Sequence, residues 1–184
     1  MKKIFIGSLV GGILIFIWQF LSWTLLDLHR PAQQYTPNQE SILEYLNTQF
    51  DSSGGYYLPT MPEGASMDGQ NKLMENSLGK PWVQIFYHKR LDVNMGLNMA
   101  KNLVTNIIMV MLFCWIISGY AANSFGKTFL AAIFTGLIVF LHGAYTEHIW
   151  YETFDLGAHL TDYLLSWGLV GIWLGWWLNR RKLN

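Results

Sequence analysis

The apolar residues of this chain collect in four blocks of about 20 residues or more: 4–26, 103–122, 129–151 and 156–178. An α-helix rising 1.5 Å per residue needs about that length to cross a hydrocarbon core of about 30 Å. A backbone in lipid must satisfy its own polar groups, which leaves helices and closed barrels. The period-2 alternation of barrel strands is missing from all four stretches. Charged residues make up 13% of the chain, about half the share of an average soluble domain. The sequence therefore predicts a membrane all-α fold. Four transmembrane helices form a bundle, and a small α+β extracytoplasmic domain is inserted between helices 1 and 2. The expected division is helix 1 in 1–26, the outer domain in 27–100, and helices 2–4 with a basic tail in 101–184.

The first apolar run follows Lys2 and Lys3 and invites comparison with a signal peptide. It is longer than the roughly 7–15 residues of a secretory apolar region, and no small-residue cleavage site follows it. It reads as an uncleaved helix.

Charge orients the bundle. All twelve acidic residues fall in 27–102 or between Glu147 and Asp162. The other polar segments carry only basic residues: Lys2 and Lys3, Lys127, and Arg180, Arg181 and Lys182. Short cytoplasmic loops are enriched in Lys and Arg. Both termini and the 121–128 turn are thus expected in the cytoplasm, and 27–100 on the opposite side. Cys114 stands alone inside helix 2, as a small buried apolar residue would.

The outer segment carries its own punctuation. Thr36-Pro37-Asn38-Gln39 predicts a helix start, with Thr36 as cap, and Ile42, Leu43, Leu46 and Phe50 form its apolar face. Tyr56–Leu58 is a strand candidate. Ser66 caps a second helix reaching Leu78, stopped by Gly79. Residues 82–88 form the best strand by β-branched and aromatic content. The two strands are expected to pair, and some 70 residues give only a small core.

Polar residues within the apolar blocks are costly and face a bundle interior or cavity. Asp155, His159, Asp162 and Ser166 share one face of helix 4. Thr128, Thr135 and His142 recur every seven residues on helix 3, and Ser8, Gly12, Gln19 and Ser22 mark helix 1. Asn94, Asn98, Asn102 and Asn106 approach helix 2 at every fourth position. With the orientation above, Gln19, Asn102, Asn106, His142, His159 and Asp162 line one polar pocket in the outer half of the bundle. Three readings of it stay open. It is a satisfied polar interface, a ligand, lipid or proton site, or a metal site of His142, His159 and Asp162, whose donors suit Zn, Fe or Mn. The pattern Gly7-x-x-x-Gly11 and its counterpart Gly171-x-x-x-Gly175 allow close helix approach, within the chain or to a partner. Trp150, Tyr151, Trp173, Trp176 and Trp177 fit interfacial aromatic belts.

No G-x-S-x-G, H-E-x-x-H, P-loop or C-x-x-C motif occurs, and the sparse basic residues exclude a nucleic-acid surface. The stretches VGGILIFIWQFLSW (10–23), GGYYLPTMPEG (54–64), GKPWVQIFYH (79–88) and WYETFDLGAHLTDYLLSWGLVGIWLG (150–175) resemble a family of small bacterial four-helix integral membrane proteins. That family has no established activity, so the resemblance implies only a bacterial inner-membrane location, with 27–100 periplasmic. The expected function is a non-enzymatic accessory or assembly subunit of a larger inner-membrane complex. Its partners are then the bilayer and other membrane subunits, with no cofactor. The alternatives are a small-ligand or lipid-binding transport protein, which would need a homo-oligomer, and a membrane metalloenzyme.

Overall fold

The computed structural model describes residues 2–119 and 124–180. It divides into two compact units, 1–35 with 94–184, and Thr36–Val93. The second unit is narrower than the expected 27–100 domain, because the stretches on either side of it fold with the helices.

Among the described residues the helical unit contains four long helical segments. Helix α1 (Lys2–Phe20) continues through a π-helical turn, Leu21–Leu25. The outer unit follows with α2 (Gln39–Gln49), β1 (Gly54–Leu58), α3 (Met67–Ser77) and β2 (Val83–Tyr87). Then come α4 (Met95–Ser118) and α5 (Phe125–Phe140), the latter extended by a π-helical turn at Leu141–Tyr145 and by α6 (Thr146–Trp150). Helix α7 runs Leu156–Asn179. Among the described residues, three helical segments are long and apolar enough to cross a membrane: Lys2–Leu25, Met95–Ser118 and Phe125–Trp150. Helix α7 is as long as α4, but His159, Asp162, Tyr163 and its many Gly and Trp residues dilute its hydropathy. Residues 121–123 of the expected turn lie outside the described residues, as do Arg181 and Lys182.

Helices α1 and α7 form the middle pair, with α4 against α1 and α5 against α7. Lipid tails are as apolar as leucine, so helices associate through close packing instead of hydrophobic exclusion. Small residues make that packing here. A Cβ on Gly12 would lie 2.7 Å from the Ile107 backbone nitrogen, and one on Gly136 2.7 Å from the Tyr163 carbonyl oxygen. Both G-x-x-x-G pairs are spent within the chain: Gly7 faces Leu174, Gly11 faces Val110, Gly171 faces Ala132 and Gly175 faces Phe125. Two indoles tie α7 to the α1 backbone, Trp173 Nε1 donating to Gly7 O at 3.0 Å and Trp177 Nε1 to Lys3 O at 2.7 Å. The core, with Ile15, Val110, Phe113, Cys114, Ile117, Ala132, Trp167, Val170 and Leu174, draws on α1, α4, α5 and α7. Neighbouring helices run antiparallel, as the pairings Lys3–Trp177, Gly12–Ile107 and Gly175–Phe125 require.

In the outer unit β1 and β2 pair antiparallel, from Gly54 opposite Tyr87 to Leu58 opposite Val83. Ser66 caps α3 by accepting from Gly69 N at 3.2 Å, and Gly79 closes it at φ +75°, both as expected. The start of α2 is different. Thr36 Oγ1 accepts from Asn38 N at 3.4 Å and closes a turn, so the helix begins only at Gln39. Thr36 satisfies a donor in the turn ahead of the helix and leaves the cap position to Asn38.

Candidate functional site

The polar site of the helical unit is built on one histidine, His29, that sequence periodicity did not select. The π-helical turn Leu21–Leu25 ends with Leu26 N donating to Leu21 O (2.8 Å) and Leu28 N to Ser22 O (3.0 Å). Asp27 then takes φ +49°, a left-handed conformation that Asp tolerates better than most side chains. This reverses the chain. A short 3₁₀ turn at Arg30–Ala32, with Pro31 near its start, follows, and the exposed Arg30–Asp27 ion pair (3.0 Å) spans the bend. His29 is folded back and left only 2% exposed.

Its ring is engaged on every side. Nδ1 lies 2.7 Å from Asp155 Oδ2, and Nε2 lies 3.0 Å from Asp162 Oδ2. Trp23 stacks on one face at 3.9 Å between centroids, and the His159 ring meets it edge-on at 4.8 Å. His159 Nε2 is 3.4 Å from the same Asp155 Oδ2. Asp162 Oδ1 accepts from Trp18 Nε1 at 3.0 Å. Helix α7 supplies the acidic side of the cluster because Asp155, His159 and Asp162 are spaced four and three apart on one face. Each carboxylate meets two side-chain nitrogens, Asp155 those of His29 and His159 and Asp162 those of His29 and Trp18, and a carboxylate withdrawn from water is tolerated only when it is partnered in this way. His29, Asp155 and His159 each offer one donor atom, all within 4.8 Å of one another.

The residues expected to line a pocket are distributed over three places. His159 and Asp162 belong to the His29 cluster. Gln19, Asn102 and Asn106 form a separate polar clamp between α1 and α4, in which both asparagine amides donate to Gln19 Oε1, at 3.0 and 2.8 Å. Asn106 is buried, and its Oδ1 has no partner among the described residues. His142 is exposed on its π-helical turn. The seven-residue stripe assumed for helix 3 does not match its packing. The buried positions of α5 are Thr128, Ala132, Gly136 and Phe140, every fourth residue, which follows the i±4 ridge and turns His142 away. Residues that the periodicity did not select are therefore Trp18, Trp23 and His29. The pair Trp18-x₄-Trp23 and the dipeptide His29-Arg30 carry no spacing signal. The one hint was that helix 4 presents two carboxylates on one face with only His159 beside them.

A second concavity, of about 450 Å³, belongs to the outer unit and is lined by Tyr57, Pro59, Met61, Leu73, Met74 and Trp82. Comparison with family profiles finds no match. Comparisons with curated proteins and with solved structures find no significant similarity either.

Proposed function

We propose that this chain is a four-span integral protein of a bacterial inner membrane and acts as a non-enzymatic accessory or assembly subunit of a larger complex. Helix α7 is the fourth span. Its 24 residues would extend about 36 Å, enough for the hydrocarbon core, and it lies antiparallel between two apolar spans. Lys3, Lys127 and Arg180 gather at one end of the helical unit, where Lys3 Nζ donates to Arg180 O at 3.3 Å and the Arg180 guanidinium sits 3.5 Å over Trp177. Asp27, Asp155 and Asp162 gather at the other. This asymmetry supports cytoplasmic termini and a periplasmic segment between α1 and α4.

The observation that carries the subunit reading is the outer unit's lack of a core. Only Phe50 and Tyr87 are buried among its 58 residues, 36–93. Leu43, Met67, Met74, Leu78, Phe86 and Leu91 are each more than half exposed. Two paired strands are marginal alone, and exposed apolar area on this scale marks an interaction surface. A neighbouring subunit with an apolar face would cover it. The test is purification from native membranes in mild detergent with mass spectrometry of the intact assembly. Stoichiometric foreign chains are expected. A lone chain or a homo-oligomer overturns the reading. The alternative, a lipid- or ligand-binding protein, is favoured by the apolar 450 Å³ cleft. In that case a non-protein mass of lipid size would accompany the lone chain.

A further inference from the structure

We propose that His29, Asp155 and His159 form a binding site for a divalent transition-metal ion, Zn²⁺ or a chemically similar ion, at the acidic end of the helical unit. The inference does not depend on the subunit reading, because it uses only residues within one compact unit.

Four observations carry it. The first is donor type. Two imidazoles and one carboxylate suit Zn²⁺, Fe²⁺ or Mn²⁺. The second is convergence. His29 Nδ1 and His159 Nε2 both point at Asp155 Oδ2, at 2.7 and 3.4 Å. Donors around a tetrahedral zinc with bonds of about 2.0–2.1 Å stand roughly 3.3 Å apart, so the 2.7 Å contact must open, and the two histidine nitrogens, within 4.8 Å of each other, must settle at that spacing. The third is how the inner histidine is held. A metal-bound histidine almost always gives its second ring nitrogen to a carboxylate, which fixes its tautomer. His29 Nε2 is held in this way by Asp162 at 3.0 Å, and Asp162 is held in turn by the Trp18 indole. With Trp23 stacked on the ring, His29 is fixed in position and plane before any ion arrives. The fourth is access. His159 keeps 29% of its side chain exposed, whereas His29 and Asp155 are buried, so an ion has an entry side and a closed side.

The charge balance is simple. The 2.7 Å contact between His29 Nδ1 and Asp155 Oδ2 gives way to two bonds to the ion, and any proton it holds leaves to solvent, because metal ligands bind deprotonated. Three protein donors leave a coordination position for water, the arrangement of reactive rather than closed structural zinc sites.

The experiment uses the full chain in mild detergent, stripped with chelator and titrated with Co²⁺ and then Zn²⁺. The expected result is one equivalent of Co²⁺ with visible ligand-field absorption, displaced by Zn²⁺. His159→Ala and Asp155→Asn should abolish it, while Asp162→Asn, through the orienting carboxylate, should weaken binding by about 10–100-fold. His159→Ala is the decisive variant, since its partly exposed ring can be removed with the His29–Asp155–Asp162 contacts intact. Folding of each variant is checked by its elution profile and thermal midpoint. If the folded wild type takes up no Co²⁺, or if His159→Ala binds it equally well, the proposal is overturned. The cluster is then a histidine–carboxylate ion-pair network alone.

Discussion

The two units of this chain hold themselves together by opposite means. The helical unit gains its specificity from absent side chains and from a few charged ones. Glycines on α1, α5 and α7 let backbones touch, and His29 joins the buried Asp155 to the partly buried Asp162. The outer unit has neither device. Its two helices and two strands bury only Phe50 and Tyr87, and its internal polar ties are single contacts such as Tyr87 Oη to Asn47 Oδ1 at 2.9 Å. A core without water needs exact fit, because each helix can exchange a neighbour for lipid at little cost. A small unit in water needs area, and this one leaves its area uncovered. Substitutions should therefore be costly in the first unit for reasons of geometry and charge. In the second they should act mainly through what covers it.

The sharpest break is His29→Ala. It would leave Asp155 and Asp162, 6% and 13% exposed, without the imidazole that both of them contact. Removing one partner of a buried ion pair costs about 3–5 kcal/mol. The thermal midpoint in detergent should fall further than for a glycine or glutamine replacement elsewhere in the helical unit. Adding Asp155→Asn and Asp162→Asn to His29→Ala should return part of the loss, since the uncompensated charges go with it. If the triple variant is as unstable as the single one, charge is not what the cluster contributes.

Next in size is Gly12→Val. Its new side chain meets the Ile107 backbone, with a Cβ 2.7 Å from Ile107 N and Cα. Backbone atoms cannot swing aside as a side-chain tip can, so α1 and α4 must separate. A loss at the upper end of the roughly 1–3 kcal/mol typical of overpacking is expected, read from thermal denaturation. Gly126→Val, where no atom lies within 4 Å of the added Cβ, is the control and should cost far less. Equal losses would mean that helix propensity, not contact, governs these glycines.

A smaller effect is expected from Gln19→Leu. It removes the common acceptor of Asn102 and Asn106. Interhelical hydrogen bonds in membranes average about 0.6 kcal/mol, so the double loss should be about 1 kcal/mol in the same assay. A loss as large as that of His29→Ala would show that the polar clamp, not the His29 cluster, anchors α1.

How much of this was legible in the sequence follows from the same contrast. Period and length reported the helices, the caps at Ser66 and Gly79, and the strand pair, because each of those signals is local. Helix α7 displayed Asp155, His159 and Asp162 on one face for the same reason. Their shared partner was not legible. His29 comes from 126 residues away and reaches the site through a π-helical turn and a reversal at Asp27, neither of which leaves a periodic trace. His142 was selected because a seven-residue repeat was assumed on α5. The small residues at Ala132 and Gly136 instead set a four-residue stripe, which turns His142 outward. Three helical segments are long and apolar enough to cross a membrane, and α7 falls below them in hydropathy because of the very residues that build the site.

The smallest stability effect makes the most demanding test of the comparison. Leu91 is 93% exposed and Phe86 70% exposed, and neither is buried in the outer unit. Surface changes away from special features usually stay within about ±0.5 kcal/mol. Leu91→Ser with Phe86→Ser should therefore leave the isolated chain's thermal midpoint and elution volume unchanged. If a partner subunit covers this face, the same double variant should lose that partner during purification from native membranes, because two apolar anchors leave the interface. Both results together would separate the units as argued: one whose stability is internal, and one whose apolar surface serves contact with another chain. A drop in the isolated chain's own stability would instead mean that these side chains already pack against something within it. The outer unit would then be no more dependent on a partner than the helical one.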